Sequence, residues 1–153
     1  MAWITLTAAL VQNRLTGAEL TAFKGAAKAA SQDADTILAD AVNAITNQVR
    51  GHVAGCKSNI LGAAGTIPNE LEAPALALLR RYLVTRLPGM KALFDELRQT
   101  EAADAVILMR DVSRCNFAIV PPAEAAPEQA AGSATELVSS RDRQATQEKM
   151  KGL

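Results

Sequence analysis

The chain has 153 residues, a length that fits one domain, and 49% of them are apolar while only 3% are aromatic. Sixteen basic residues balance sixteen acidic ones, so the net charge is zero and the basic excess of a general nucleic-acid binder is missing. So few rings leave little to stack on bases or sugars, and no apolar run approaches the roughly 18 residues of a membrane span.

The opening MAWITLTAAL has no basic leader and soon meets Gln12, Asn13 and Arg14, which argues against a secretory signal. A soluble product made in the cytoplasm is expected. From Trp3 to about Arg14, the residues Ile4, Leu6, Leu10 and Val11 give a short apolar face, with Thr5 or Thr7 able to cap a first helix. Thr16-Gly17-Ala18-Glu19 has the form of a capping box and opens a second helix that carries Leu20 and Phe23 to about Ala30. Asp33 caps a third, over about Ala34 to Ala54, where Leu38, Val42, Ile45, Val49 and Val53 recur at spacings of three and four. Gly51 inside it costs about 1 kcal/mol against alanine, which points to a close packing contact there. Gly55, Gly62 and Gly65 make the next segment a loop.

Pro74 pre-sets a first helical turn, and Leu78, Leu79, Tyr82 and Leu83 form the inner face of a fourth helix ended by Pro88-Gly89. A fifth runs from near Met90 towards Ser113, with a kink or break over Ala102 to Ala105. NFAIVPP then reads as an extended arm or an edge strand. Residues 123–153 are rich in Ala, Glu, Gln, Ser and Pro, without aromatics, and read as a flexible tail. The fold class expected is all-α: a compact bundle of four to five short helices over residues 1–120, with an extended C-terminal arm over 121–153.

No catalytic or phosphate-binding motif appears, and no cofactor or metal is expected. Asp33, Asp35 and Asp40 lack the glycine and closing glutamate of a calcium loop and suit the start of a helix instead. His52 and Cys56 are spaced i, i+4 but lack further ligands, and Cys56 and Cys115 read as two reduced thiols. A helix-turn-helix over Ala8 to Lys28 would have only Lys24 and Lys28 for phosphates and no Arg, Asn or Gln for bases. Arg80, Arg81 and Arg86 remain. Arg80 and Arg81 point about 100° apart on a helix, and no two of the three are spaced i, i+4, so they form no convergent clamp. They suit a solvated rim or a subunit interface.

The order of these features resembles the small helical head–tail connector, or adaptor, proteins of tailed bacteriophages. A short helix precedes a Thr-Gly-x-Glu-Leu helix. ILADAVNAITNQVRGHVAG follows as a long helix ending in glycine, then IPNELEAPALALLRRYLVTRLPG and a helix with KALFDELRQ. The resemblance covers roughly residues 3 to 112, through helix patterns rather than chemistry. It departs at His52 and Val53, where many relatives carry an aromatic, and at the tail after Val120. It implies a structural virion protein and no enzyme. A ring homo-oligomer of about twelve copies would sit beneath the portal protein, extend the channel for genomic DNA and present a surface to a tail-completion protein, with Arg80, Arg81 and Arg86 as candidate subunit-interface residues. The alternatives are a small helical DNA-binding regulator or another tail-completion factor.

Overall fold

The computed structural model describes residues 3–123. The expected C-terminal arm falls on residues 121–153, of which 124–153 lie outside the described residues. The fold is all-α, with one small ribbon. Strand β1 (Trp3–Thr5) is followed by α1 (Ala8–Arg14), α2 (Gly17–Ala29) and α3 (Ala34–Gly55). After a loop come β2 (Thr66–Pro68), a 3-10 turn (Asn69–Leu71), α4 (Glu72–Arg86), a 3-10 segment (Pro88–Leu93) and α5 (Glu96–Ser113).

The ends of the helices are fixed by local chemistry. Thr7 caps α1 through its side-chain oxygen, which accepts from Leu10 N–H. The capping box is complete: Glu19 N–H donates to Thr16 Oγ1 at 3.2 Å, and Thr16 N–H donates to Glu19 Oε2 at 2.8 Å. Asp33 caps α3, accepting from Thr36 N–H at 2.9 Å and from the Thr36 hydroxyl at 2.7 Å. These bonds hold its carboxyl below its ordinary value, the side-chain bond contributing most.

The core is built on the α3 stripe. Leu38, Ala41, Ile45, Val49 and Val53 are buried along it. Leu79 and Leu83 from α4 and Met109 and Val112 from α5 close against it, so α3, α4 and α5 pack on one another as the central layer. The 3-10 segment beside α4 packs on α2, with Met90 buried and Gly89 against Ala26.

Four expectations are corrected. The first apolar stretch is divided: Trp3–Thr5 is a strand, paired antiparallel with Thr66–Pro68 so that Ile4 faces Ile67. An aromatic followed by a β-branched pair suits a pleated ribbon, and the helix starts only after the Thr7 cap. Gly51 is exposed, and a Cβ there would meet nothing within 4 Å; close approaches instead occur at Gly55, whose Cβ would lie 3.1 Å from Ser113 Cβ, at Gly62, whose Cβ would lie 2.7 Å from the Trp3 ring, and at Gly89. Next, α5 does not start at Met90 or break at Ala102–Ala105. Phe94 is a non-helical joint, Asp95 caps α5 by accepting from Arg98 N–H at 2.9 Å, and Ala102 and Ala105 are buried within an unbroken helix. Finally, the cysteines are not two thiols. They form a disulfide, with Cα atoms 5.2 Å apart, which joins the end of α3 to the end of α5.

Residues 116–122 form no strand: they bend at Phe117 and lie along the fold, with Phe117 and Ile119 packed on the core.

Candidate functional site

Helix α2 carries a buried stripe at Glu19, Phe23 and Ala27, each one helical turn from the next. A carboxylate on such a stripe requires partners. Oε2 takes the Thr16 N–H of the capping box. Oε1 lies 3.4 Å from Arg80 Nε and 3.5 Å from Arg98 Nη2, so one carboxylate ties α2 to α4 and α5. The Arg80 contact is electrostatic, since its buried Nε makes no hydrogen bond. The far end of the same guanidinium donates from Nη2 to Arg14 O at 3.0 Å. Arg98 is also held by Glu101 at 2.9 Å, and that bond is the main cause of a guanidinium pKa raised above its ordinary value.

The three arginines of α4 have different surroundings. Arg80 is turned into this cluster, with only 17% of its side chain exposed. Arg86 donates to the Tyr82 hydroxyl at 3.4 Å and sits 3.6 Å from Asp40, at the rim. Arg81 is exposed, and its guanidinium has no hydrogen bond or ion pair among the described residues. The fold does not bring the three together.

A fourth arginine was not singled out in the sequence. Arg50 donates to three backbone carbonyls, of Gly62 at 3.3 Å and of Ala63 and Thr66 at 2.9 Å, and so pins the loop after α3 to the side of that helix. A polar residue beside a glycine-rich loop is a weak signal, because the carbonyls it meets are 12 to 16 residues away. Trp3 stacks over Gly62 and donates from Nε1 to Val120 O at 3.1 Å, which fastens the outgoing chain.

A concavity of about 750 Å³ opens between the first half of α4 and the middle of α5. Leu76, Ala77, Ala105 and Leu108 give it an apolar floor. Its rim carries Glu70, Glu72, Glu101 and Asp104 against Arg14 and Arg80. Glu72 is taken by Arg14 at 2.9 Å and Glu101 by Arg98, while Asp104 has no ion pair among the described residues. The groove is therefore acidic, but its carboxylates do not converge: the described residues contain no group of three or more His, Cys, Asp and Glu placed to hold a metal. Cys56 is committed to the disulfide, so its spacing from His52 has no thiolate to use. Lys24 and Lys28 lie exposed on α2. No helix among the described residues is long and apolar enough to cross a membrane. Compared with family models, with curated proteins and with solved structures, the chain matches none.

Proposed function

We propose that the chain is a head–tail adaptor of a tailed bacteriophage: a virion subunit that forms a ring beneath the portal protein, extends the DNA channel and docks the next tail-completion protein. The observation that carries this reading is the order of the elements. A short helix, a Thr-Gly-x-Glu-Leu helix, a long helix ending in glycine, an arginine-bearing helix ending in Leu-Pro and a last helix follow one another in the chain. Two of the stretches that carry the resemblance also touch, through Glu19 and Arg80.

A ring needs one face of each subunit to meet a different face of the next. Of the arginines, Arg81 offers its guanidinium to a neighbour, Arg86 offers part of one, and Arg80 contributes by holding α4 in place. Zero net charge suits a lumen through which DNA slides without being read.

The test is negative-stain microscopy of the full-length protein mixed with the portal protein encoded in the same genome. Rings or portal-bound caps are expected, and Arg81→Glu should abolish them while leaving the melting temperature unchanged. No ring and no portal complex at high protein concentration overturns the reading. A regulator that binds DNA would instead show duplex binding with a steep salt dependence.

A further inference from the structure

The groove between α4 and α5 lies where the chain leaves the described fold. Val120 N–H donates to Glu70 Oε1 at 3.4 Å, and Glu70 is part of the groove rim. At Val120 the chain therefore lies beside one end of an acidic groove with an apolar floor, three positions before the last described residue. The sequence that follows is polarised. Residues 124–136 hold Glu124, Glu128 and Glu136 and no base, whereas residues 141–153 hold Arg141, Arg143, Lys149 and Lys151 against Asp142 and Glu148. The second part also has Met150 for an apolar floor.

We propose that residues 141–153 dock in this groove of their own chain, with Lys149 and Lys151 against Asp104 and Glu70. Distance permits it. A random-coil linker of 17 residues, the number from 124 to 140, would span about 23 Å root-mean-square, and the α4 side of the groove, Glu72 to Arg80, is about 12 Å long. Charge favours the basic part over the acidic one, since the latter would meet Asp104 and Glu70 as like charges. Tethering supplies an effective concentration on the order of millimolar, so even a site of millimolar dissociation constant is about half filled. A second copy at micromolar concentration cannot match that, which is why the occupant is the chain's own segment. The proposal goes beyond the adaptor reading and does not depend on it.

The experiment is zero-length carbodiimide coupling on full-length protein, prepared as an equal mixture of isotope-labelled and unlabelled chains and analysed by mass spectrometry. Links from Lys149 or Lys151 to Asp104 or Glu70 are expected within single chains. Asp104→Asn, at an exposed position, should weaken the site roughly threefold, the size of one exposed charge pair, and so lower the Glu70 yield about twofold from a half-filled site. In amide spectra of the intact chain, the tail variant R141E/R143E/K149E/K151E should move the signals of Ala77, Ala105 and Leu108. Links of mixed isotopic mass would show that the tail docks on a second copy and would overturn the proposal. So would tail lysines coupled to carboxylates all over the surface, or groove signals that ignore the charge reversal. None of these outcomes bears on ring formation with the portal, so the two readings fail separately.

Discussion

Opening the disulfide tests the strongest single tether in the chain. Cys56 and Cys115 are 59 positions apart, and they fasten the end of α3 to the end of α5. The two helices already pack there, with Gly55 against Ser113, so reduction leaves the native contacts in place. Its effect falls on the unfolded chain, which regains the freedom of an open loop. For a loop of that length the chain-entropy relation gives about −14 cal/mol/K, or about 4 kcal/mol at 25 °C. Roughly 120 ordered residues imply an unfolding entropy near 250 cal/mol/K, so melting should fall by about 16 °C. Urea unfolding checks this, followed by the fluorescence of Trp3, the one tryptophan, which is packed on Gly62. Oxidised protein, reduced protein and the C56S/C115S variant are compared, and the last two should share a midpoint well below the first. A difference under about 1 kcal/mol would refute the entropic argument. A C56S/C115S protein that still responds to reductant would refute the assignment of the effect to this bond.

Glu19→Ala removes a capping-box carboxylate and leaves Arg80 facing a buried void. Because Arg80 and Arg98 both reach solvent in part, a loss of about 2 kcal/mol is expected, less than for a fully buried pair, read as a shift in the urea midpoint. Gly62→Ala would drive a Cβ to within 2.7 Å of the Trp3 ring, and overpacking of this kind costs about 1–3 kcal/mol, with a change in the near-ultraviolet signal of Trp3 as its direct sign. Asp33 has a carboxyl pKa lowered by its bonds to Thr36, so its contribution is complete above the ordinary value of 3.8 and fades as pH falls through the depressed native value. Stability measured down through that window should show a step that Asp33→Asn, which still caps but does not titrate, lacks.

The features legible in the sequence were those decided within a few residues. The capping box at Thr16, the Asp33 cap and the α3 stripe each depend on spacings of three or four, and each lies in the fold where the pattern puts it. Trp3–Thr5 was hidden because a three-residue strand is defined by its partner, and that partner is Thr66–Pro68. The disulfide was hidden for the same reason: 59 positions separate two cysteines whose only shared feature is that each follows the end of a helix. The break before α5 is closer to legible, since Asp95 is a good cap, but its signal competes with the apolar residues between Met90 and Phe94, which helical spacing alone would join to α5. Ala102 and Ala105 are small because α5 comes close to its neighbours there, with Ala105 in the same buried cluster as Leu76 and Ala77 of α4.

Glu19 shows where the candidate site was readable and where it was not. Its role as a cap follows from Thr16 alone. Its burial follows from Phe23 and Ala27, which continue its stripe at steps of four, so a charged residue on that face already implied a basic partner elsewhere. Which base answers it could not be read, because Arg80, Arg81, Arg86 and Arg98 are alike in type and differ only in the direction each helix turns them. The packing of α4 against α3 and α5 fixes that direction: with Leu79 and Leu83 buried, Arg80 is swung towards α2 and Arg81 out to solvent. Neighbours in sequence thus hold opposite roles, one internal and one available to a partner. A substitution at Arg80 therefore reports on folding, whereas one at Arg81 would bear on the proposed assembly without disturbing the fold.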